Sequence, residues 1–235
     1  MSSRRKFIQT SAIALSASSL LPFSGAANTI QHKSMLKKEF LQTGMAGYSF
    51  VNYNIDQTIA IMNRTGINNI SVKDFHLPLN SSQQTIDEVM GKFKKGGIQV
   101  YTVGVIYMKT EAEVDRAFDY AKRVGVNLII GVPGYDLLTY TEKKVKEYNI
   151  RIAIHNHGPE DKLYPGPKDV YNRISGMDKR VGLCLDIGHA FRAGVMPDKA
   201  VTDYAPRIFD LHIKDVTAAK AEGKAIEAGR GAIDF

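Results

Sequence analysis

Cysteine is almost missing from this 235-residue chain, in which Cys184 stands alone. A single cysteine excludes an internal disulfide and any zinc finger built from cysteine pairs. Long apolar runs are missing too, since no stretch reaches the ~20 residues that a membrane-spanning helix requires. What remains, with 44% hydrophobic and 23% charged residues, is the composition of a globular protein with a sizeable core.

The N-terminus has the pattern of a cleaved export signal. Residues 1–27 open with Arg4, Arg5 and Lys6, continue with a short apolar stretch to Phe23, and end in small residues. This order predicts a signal peptide, and the paired arginines resemble a twin-arginine signal. An amphipathic helix or a membrane anchor is the alternative interpretation. We therefore expect an exported, periplasmic protein with no stable membrane span, a polar lead-in over 28–42 and a folded domain over 43–235.

The formal net charge of +7 is only mildly informative, because part of it lies in the predicted signal. The lysine pairs Lys37-Lys38, Lys94-Lys95 and Lys143-Lys144 fall in predicted helices or loops, where they are typical of solvated faces. We expect no nucleic-acid partner.

Short β-branched runs alternate with longer amphipathic stretches along the domain. The predicted strands cover 45–50, 69–73, 99–105, 127–131, 151–155, 182–186 and 208–214. The predicted helices cover 55–65, 82–95, 111–124, 141–148, 169–175 and 198–204. Several helices end in Gly or Asn followed at once by a strand, as at Gly66-Ile67 and Gly125-Val126. The alternation predicts an α/β fold with a parallel sheet.

Two α/β architectures fit this repeat, a doubly wound sheet and a (β/α)8 TIM barrel. No Gly-rich phosphate fingerprint follows the first strand, as a dinucleotide-binding sheet would require, and polar residues recur at many strand ends. We therefore predict a (β/α)8 barrel, of which about seven strands can be counted.

Histidines follow the ends of the predicted strands. His76 follows the second strand, His155 and His157 close the fifth, His189 follows the sixth, and His212 lies late in the seventh. Since the carboxyl ends of barrel strands meet at one rim, we expect these five residues to gather there. Any one of them alone is more often a hydrogen-bonded structural histidine.

Asp186, at the end of the sixth strand, adds a carboxylate to the histidines. Imidazole and carboxylate groups converging from separate strands build a metal centre that keeps open positions. The spacing of His155 and His157 puts both on one strand face, if the strand continues that far. The spacing of Asp186 and His189 lets the carboxylate bind at the strand tip while the histidine approaches from a loop.

Several segments together resemble one family, the sugar-phosphate isomerase/epimerase superfamily with its xylose isomerase-like TIM barrel. The segments are Ser71-Val-Lys-Asp-Phe-His-Leu-Pro78, Ile152-Ala-Ile-His-Asn-His-Gly158, Leu185-Asp-Ile-Gly-His189, Leu211-His-Ile-Lys-Asp215 and Gly229-Arg-Gly-Ala-Ile-Asp-Phe235. Members include ketose 3-epimerases, hydroxypyruvate isomerases, inosose dehydratases and endonuclease IV.

The resemblance implies a divalent metal ion held by a Glu, an Asp, a His and a second Glu. The Asp and the His match Asp186 and His212, whereas His155 stands where the first Glu is found. The second Glu belongs to an eighth strand and has no counterpart, so we expect an incomplete barrel in a C-terminally truncated chain. With His155, Asp186 and His212 as ligands, manganese, zinc, cobalt and iron are not distinguished.

The resemblance also implies proton transfer through a metal-stabilised enediolate, with carboxylates moving the proton. Because His155 replaces one carboxylate, our hypothesis is that His157 or His189 takes over acid/base work. Lys73, His76 and Lys214 are the candidate substrate-binding residues, and ion pairs on the rim are the alternative role for both lysines.

Two other residue groups stay ambiguous at this level. Tyr48 and Phe50 either stack on a sugar or fill the barrel mouth. Gly229 and Gly231 either cradle a phosphate or make a tight turn, and the turn is favoured because Gly-x-Gly alone is a weak signal.

The leading functional prediction is a sugar isomerase or epimerase acting on an unphosphorylated carbohydrate, because phosphorylated sugars are scarce outside the cytoplasm. A lyase or dehydratase acting on keto-sugars or 3-keto-glycosides would use the same site. A catalytically inactive carbohydrate-binding barrel is the non-enzyme alternative. DNA repair is disfavoured by the predicted export and the mild charge.

Overall fold

The computed structural model describes residues 41–235. The predicted signal peptide, His32 and most of the predicted lead-in lie outside the described residues. Within the described part of the chain, no helix combines the length and the apolar character needed to cross a bilayer.

Seven parallel strands form one sheet in chain order. They are β1 Met45–Ala46, β2 Asn69–Val72, β3 Gln99–Met108, β4 Leu128–Pro133, β5 Arg151–His155, β6 Val181–Asp186 and β7 Ile208–His212. Each strand pairs with the one before it in sequence, which is the strand order of a (β/α)8 barrel.

Seven helices connect or follow these strands. They are α1 Ile55–Thr65, α2 Gln83–Lys95, α3 Glu111–Val124, α4 Leu138–Tyr148, α5 Pro167–Ile174, α6 Ile187–Arg192 and α7 Pro197–Tyr204. The helix α1 begins at a capping box between Asn54 and Gln57 and ends at Gly66, whose φ of 71° suits a left-handed C-cap. The apolar face predicted for α3 is buried.

The sheet curls around a small interior core. The hydroxyl of Tyr101 on β3 donates to Asp210 Oδ2 on β7 over 3.0 Å, a contact between strands that are four places apart. This interior core is an apolar cluster, separate from the larger core of the domain, and it contains Leu128, Ile130, Ala153 and Cys184. Within residues 41–235, β1 and β7 are the sheet edges, so the predicted barrel fold is confirmed as a seven-stranded partial barrel.

Three predicted strands are shorter in the structure, and the one predicted over 69–73 ends at Val72. The strand predicted over 45–50 ends at Ala46, and Gly47–Phe50 forms a 3-10 helix. A Cβ at Gly47 would lie 2.5 Å from the carbonyl oxygen of Ser71, so the chain passes β2 too closely for a side chain. The strand β7 ends at His212, which leaves Lys214 in the following loop.

Residues 215–235 form an extension that the sequence pattern did not predict. Two short antiparallel strands, β8 Asp215–Val216 and β9 Ala225–Ile226, pair with each other. The Asp215 carboxylate accepts backbone N–H groups at 2.7–3.2 Å from the residues Val216, Gly229, Gly231 and Ile233. Gly229 and Gly231 therefore donate within the chain, as a tight turn does, instead of facing outward as a phosphate cradle.

Candidate metal centre

The centre lies where three adjacent strands end. His155 closes β5, Asp186 closes β6 and His212 closes β7. His155 Nε2 is 3.0 Å from His212 Nδ1 and 3.5 Å from Asp186 Oδ2, while His212 Nδ1 is 3.9 Å from the same oxygen. His155 and Asp186 are 4% and 1% exposed, so the parallel register delivers these groups into a buried site.

Burial sets the protonation state of this cluster. It lowers the pKa of His155 to about 3 and also lowers the pKa of His212, with Asp186 opposing both shifts. Burial alone would raise the pKa of Asp186, but the hydrogen bond with His155 and the charge of Lys214 hold that pKa below its usual range. At neutral pH the cluster therefore holds two neutral imidazoles and one carboxylate, which are the forms that bind metal ions.

The contacts of these groups fit a divalent cation. The three facing atoms are separated by 3.0–3.9 Å, which is the spacing of ligands that lie about 2.0–2.2 Å from one ion. His155 Nδ1 and His212 Nε2, the ring nitrogens opposite the facing atoms, are buried and have no hydrogen-bond partner among the described residues, while Asp186 Oδ2 lies 3.0 Å from the ammonium of Lys214. Among residues 41–235, no glutamate from an eighth strand joins them.

Asn156, which sequence reasoning missed, fastens the ends of β5 and β6 together. Its Nδ2 donates to the Asp186 carbonyl oxygen over 3.1 Å, and the Asp186 N–H donates to Asn156 Oδ1 over 3.0 Å. The side chain is fully buried. An amide matches a backbone N–H and C=O pair, so Asn156 fixes where the Asp186 carboxylate points.

His189 lies in the first turn of α6, and not in the loop that the sequence spacing suggested. The helix forms because Asp186 Oδ1 accepts the N–H of His189 over 2.9 Å as an N-cap. His189 Nε2 is 2.9 Å from Lys214 Nζ and 4.0 Å from Asp186 Oδ2. Burial lowers the pKa of His189 to about 4, with Asp186 opposing the shift.

His157 lies two residues beyond the end of β5. Its Nε2 is 2.9 Å from the hydroxyl of Tyr107, and its Nδ1 is 3.5 Å from Asp161 Oδ2. Its ring centroid lies 4.7 Å from that of His155 and 5.8 Å from that of His189. Burial lowers the pKa of His157 and raises that of Tyr107. Tyr107 was not predicted, since nothing in its sequence context marks a tyrosine at the end of β3.

Of the three predicted substrate-binding residues, Lys214 alone joins this cluster. Its ammonium lies 3.0 Å from Asp186 Oδ2. Lys73 donates to the Val105 carbonyl oxygen over 2.6 Å and lines a cavity of 220 Å³ between the ends of β2 and β3. His76 is buried and contacts the carbonyl oxygen of Tyr53 at 2.8 Å, apart from the other histidines.

Tyr48 and Phe50 lie in different environments in the structure. Phe50 is buried in the core, whereas Tyr48 is 69% exposed and lies edge-on to Phe75, with 6.5 Å between the ring centroids. Phe50 therefore fills the space beneath the mouth, and the Tyr48 ring stays accessible.

Comparison with known proteins identifies the fold family. The model of the xylose isomerase-like TIM barrel family matches residues 59–235. No curated protein sequence matches the chain. The solved structure of IolI protein with a binding zinc atom has a TM-score of 0.69 and 18% identity, covering 83% of this chain and 81% of that chain.

Two further solved structures are enzymes from bacteria. The probable 3-DHS dehydratase AsbF from Bacillus anthracis has a TM-score of 0.66 and 12% identity, covering 83% of this chain and 86% of that chain. The 3-keto-D-glucoside 4-epimerase YcjR from E. coli has a TM-score of 0.63 and 15% identity, covering 75% of this chain and 80% of that chain. At these identities the likeness is one of fold. Because the family model spans most of the described barrel, the chain belongs to the xylose isomerase-like TIM barrel family.

Proposed function

We propose that the protein is a divalent-metal-dependent isomerase or epimerase of an unphosphorylated sugar. The observation that carries this proposal is the convergence of His155, Asp186 and His212 at 3.0–3.9 Å, in the protonation states that bind metal. Two more imidazoles and the ammonium of Lys214 surround the same point.

A divalent ion held by these three residues would supply a Lewis acid that stabilises an enediolate formed beside a carbonyl group. His157 and His189 are the candidate bases, because each ring is neutral at pH 7 and can accept a proton from carbon. The hydroxyl of Tyr107 holds His157 at Nε2, and Nδ1 has no hydrogen-bond partner among the described residues. The Lys214 ammonium is placed to donate hydrogen bonds to substrate oxygens.

One observation and one prediction from the sequence favour an unphosphorylated substrate. The N–H groups of Gly229 and Gly231 are already donated to Asp215, so this loop offers them to no phosphate. The predicted twin-arginine signal over 1–27 also supports export from the cytoplasm. Outside the cytoplasm, free sugars are commoner substrates than phosphorylated sugars. Periplasmic export is tested by fractionating cells that express the wild type and the Arg4→Lys, Arg5→Lys variant, which should stay in the cytoplasm.

Solvent exchange tests the reaction itself. The metal-loaded 235-residue protein is incubated in D2O with ketoses, aldoses and 3-keto-glucosides, the last suggested by the epimerase YcjR. NMR should show deuterium entering the carbon next to the carbonyl, and Asp186→Asn should abolish this exchange. Release of a β-substituent with an unsaturated product would instead assign a lyase. Stoichiometric metal and sugar binding without exchange would assign a binding protein.

The two candidate bases are tested by separate substitutions. His157→Gln and His189→Gln should each slow deuterium exchange about 10²–10⁴-fold if that ring moves the proton. Bound metal, measured by elemental analysis, should stay stoichiometric in both variants. Unchanged exchange in both would show that neither imidazole is the base.

A further inference from the structure

The single cysteine lies directly beneath the candidate metal centre. Cys184 precedes Asp186 by two residues on β6, so both side chains point to the same side of the sheet. Its Cα pairs with that of His155 across the strands. One ligand atom each from Cys184, His155 and His212 lie within 4.8 Å of one another.

The thiol lies at a boundary between two environments. Below it are the apolar side chains of Leu128, Ile130 and Ala153, and above it are the imidazoles. His155 and Asp186 are more than nine-tenths buried, and His155 Nδ1 has no hydrogen-bond partner among the described residues, whereas Asp186 Oδ2 is paired with the ammonium of Lys214 at 3.0 Å. Buried polar atoms without a hydrogen-bond partner are rare in native proteins, and hydrophobic packing does not explain this one.

We propose that Cys184 is a further ligand of this centre, and that the set of His155, His212 and Cys184 with Asp186 selects zinc over manganese and magnesium. This inference rests on the metal centre of the proposed function and names its cation. Thiolate and imidazole ligands suit zinc, whereas carboxylate and carbonyl oxygens suit magnesium and manganese. On binding, the S–H bond breaks, a sulfur–metal bond forms, and the proton leaves to solvent.

Cobalt(II) added to the metal-free 235-residue protein reports sulfur ligation directly. A cobalt–thiolate bond gives a charge-transfer band in the near ultraviolet, in addition to the visible d–d bands of any bound cobalt. Because the sequence contains one cysteine, a thiolate band in the monomeric protein is assigned to Cys184 without a variant. We expect both sets of bands in the wild type, and loss of the charge-transfer band alone in Cys184→Ser.

Competition between zinc and manganese measures the selectivity. Cys184→Ser should weaken zinc binding by on the order of tenfold or more, with manganese affinity changed less than about twofold. His155→Glu is the matched variant at the same centre, and it should shift the preference toward manganese. Circular dichroism and thermal unfolding test whether each variant is folded. If Cys184→Ser does not fold, the cobalt spectrum of the wild-type protein decides whether Cys184 is a ligand.

The outcomes separate the two proposals. Visible cobalt bands without a charge-transfer band in the wild type would overturn the role of Cys184 and leave the proposed function standing. A wild-type preference for manganese over zinc would overturn the selectivity. If neither cobalt nor zinc binds the wild-type protein, the metal centre and the function built on it both fail.

Discussion

Each clustered histidine owes its chemical state mainly to burial. Asp186 Oδ2 lies 3.5 Å from His155 Nε2 and favours the charged imidazolium, yet desolvation prevails and the pKa of His155 falls to about 3. The same balance lowers the pKa of His189 to about 4. Neutral rings with free lone pairs are therefore a property of the buried site, and not of histidine itself.

Asn156 is the residue that should link stability to metal binding. Asn156→Ala leaves the buried N–H and C=O of Asp186 without partners, so we expect the free energy of unfolding to fall by about 2–3 kcal/mol. Zinc affinity should fall about ten- to a hundredfold, because Asp186 loses its support. Urea unfolding and metal titration measure the two effects.

The control for this residue is Asn172→Ala, at an exposed position of α5, which should change stability by less than about 0.5 kcal/mol. Unchanged zinc affinity in a folded Asn156→Ala protein would contradict the assigned support of Asp186.

At the level of elements, one buried arginine joins the end of α5 to β6 and β7. The guanidinium of Arg207 donates at 2.8–3.1 Å to the four carbonyl oxygens of Ser175, Met177, Asp178 and Val181. Arg207 is 8% exposed, so these carbonyl groups have little access to water as an alternative partner.

Arg207→Met should therefore lower the free energy of unfolding by about 3–5 kcal/mol, because it leaves several buried carbonyl groups unpaired. Chemical denaturation measures the change. Arg230→Met is the matched control at an exposed position and should have a near-zero effect. A loss below about 1 kcal/mol at Arg207 would show that these bonds do not hold the elements together.

The Asp215 carboxylate should hold the C-terminal extension by its hydrogen bonds. Asp215→Asn removes one acceptor oxygen and presents N–H groups to the backbone amides. Amide hydrogen exchange at Gly229 and Gly231 should become on the order of tenfold faster, as followed by NMR. Asp234→Asn, at an exposed position, is the control, and equal exchange rates in both variants would contradict the anchoring role.

For the whole molecule, the buried neutral histidines predict an acid-sensitive fold in the metal-free protein. The pKa values of His155 and His189 are about 3 and about 4, below the ordinary value of about 6.5 in the unfolded chain. Below pH 6.5 the unfolded state binds more protons, so their contribution to stability is complete above that pH and decreases on acidification. We expect a loss of about 2–4 kcal/mol between pH 7 and pH 5.

Urea unfolding at a series of pH values measures this slope. His155→Gln removes one of the titrating groups and should make the slope shallower over the same range. A wild-type stability that stays flat from pH 7 to pH 5 would contradict the neutral state assigned to these rings.

Much of the fold follows from local information. The bounds predicted for the helices 55–65 and 111–124 coincide with α1 and α3, because periodic apolar positions lie between a capping residue and a glycine. The parallel order of the sheet follows from the β–α alternation. The confirmed family also follows from motifs that are contiguous in the sequence.

The candidate site was predictable to the extent that strand ends must meet at one rim. That rule brings His155, Asp186 and His212 together, and it does not bring His76 to them, because the loop after β2 turns His76 toward Tyr53. The helix α6 escaped prediction because six residues are too few for a periodic signal, and its start depends on one Asp186 cap.

The sequence by itself determined the class of the molecule, the order of its elements and the residues that end its strands, since these depend on neighbours within a few positions. The tertiary structure alone decided that Asn156 clamps Asp186, that Tyr107 meets His157, and that Cys184 lies under the histidines. Those relations join residues far apart in sequence, and they depend on register, burial and side-chain direction, which no local pattern encodes.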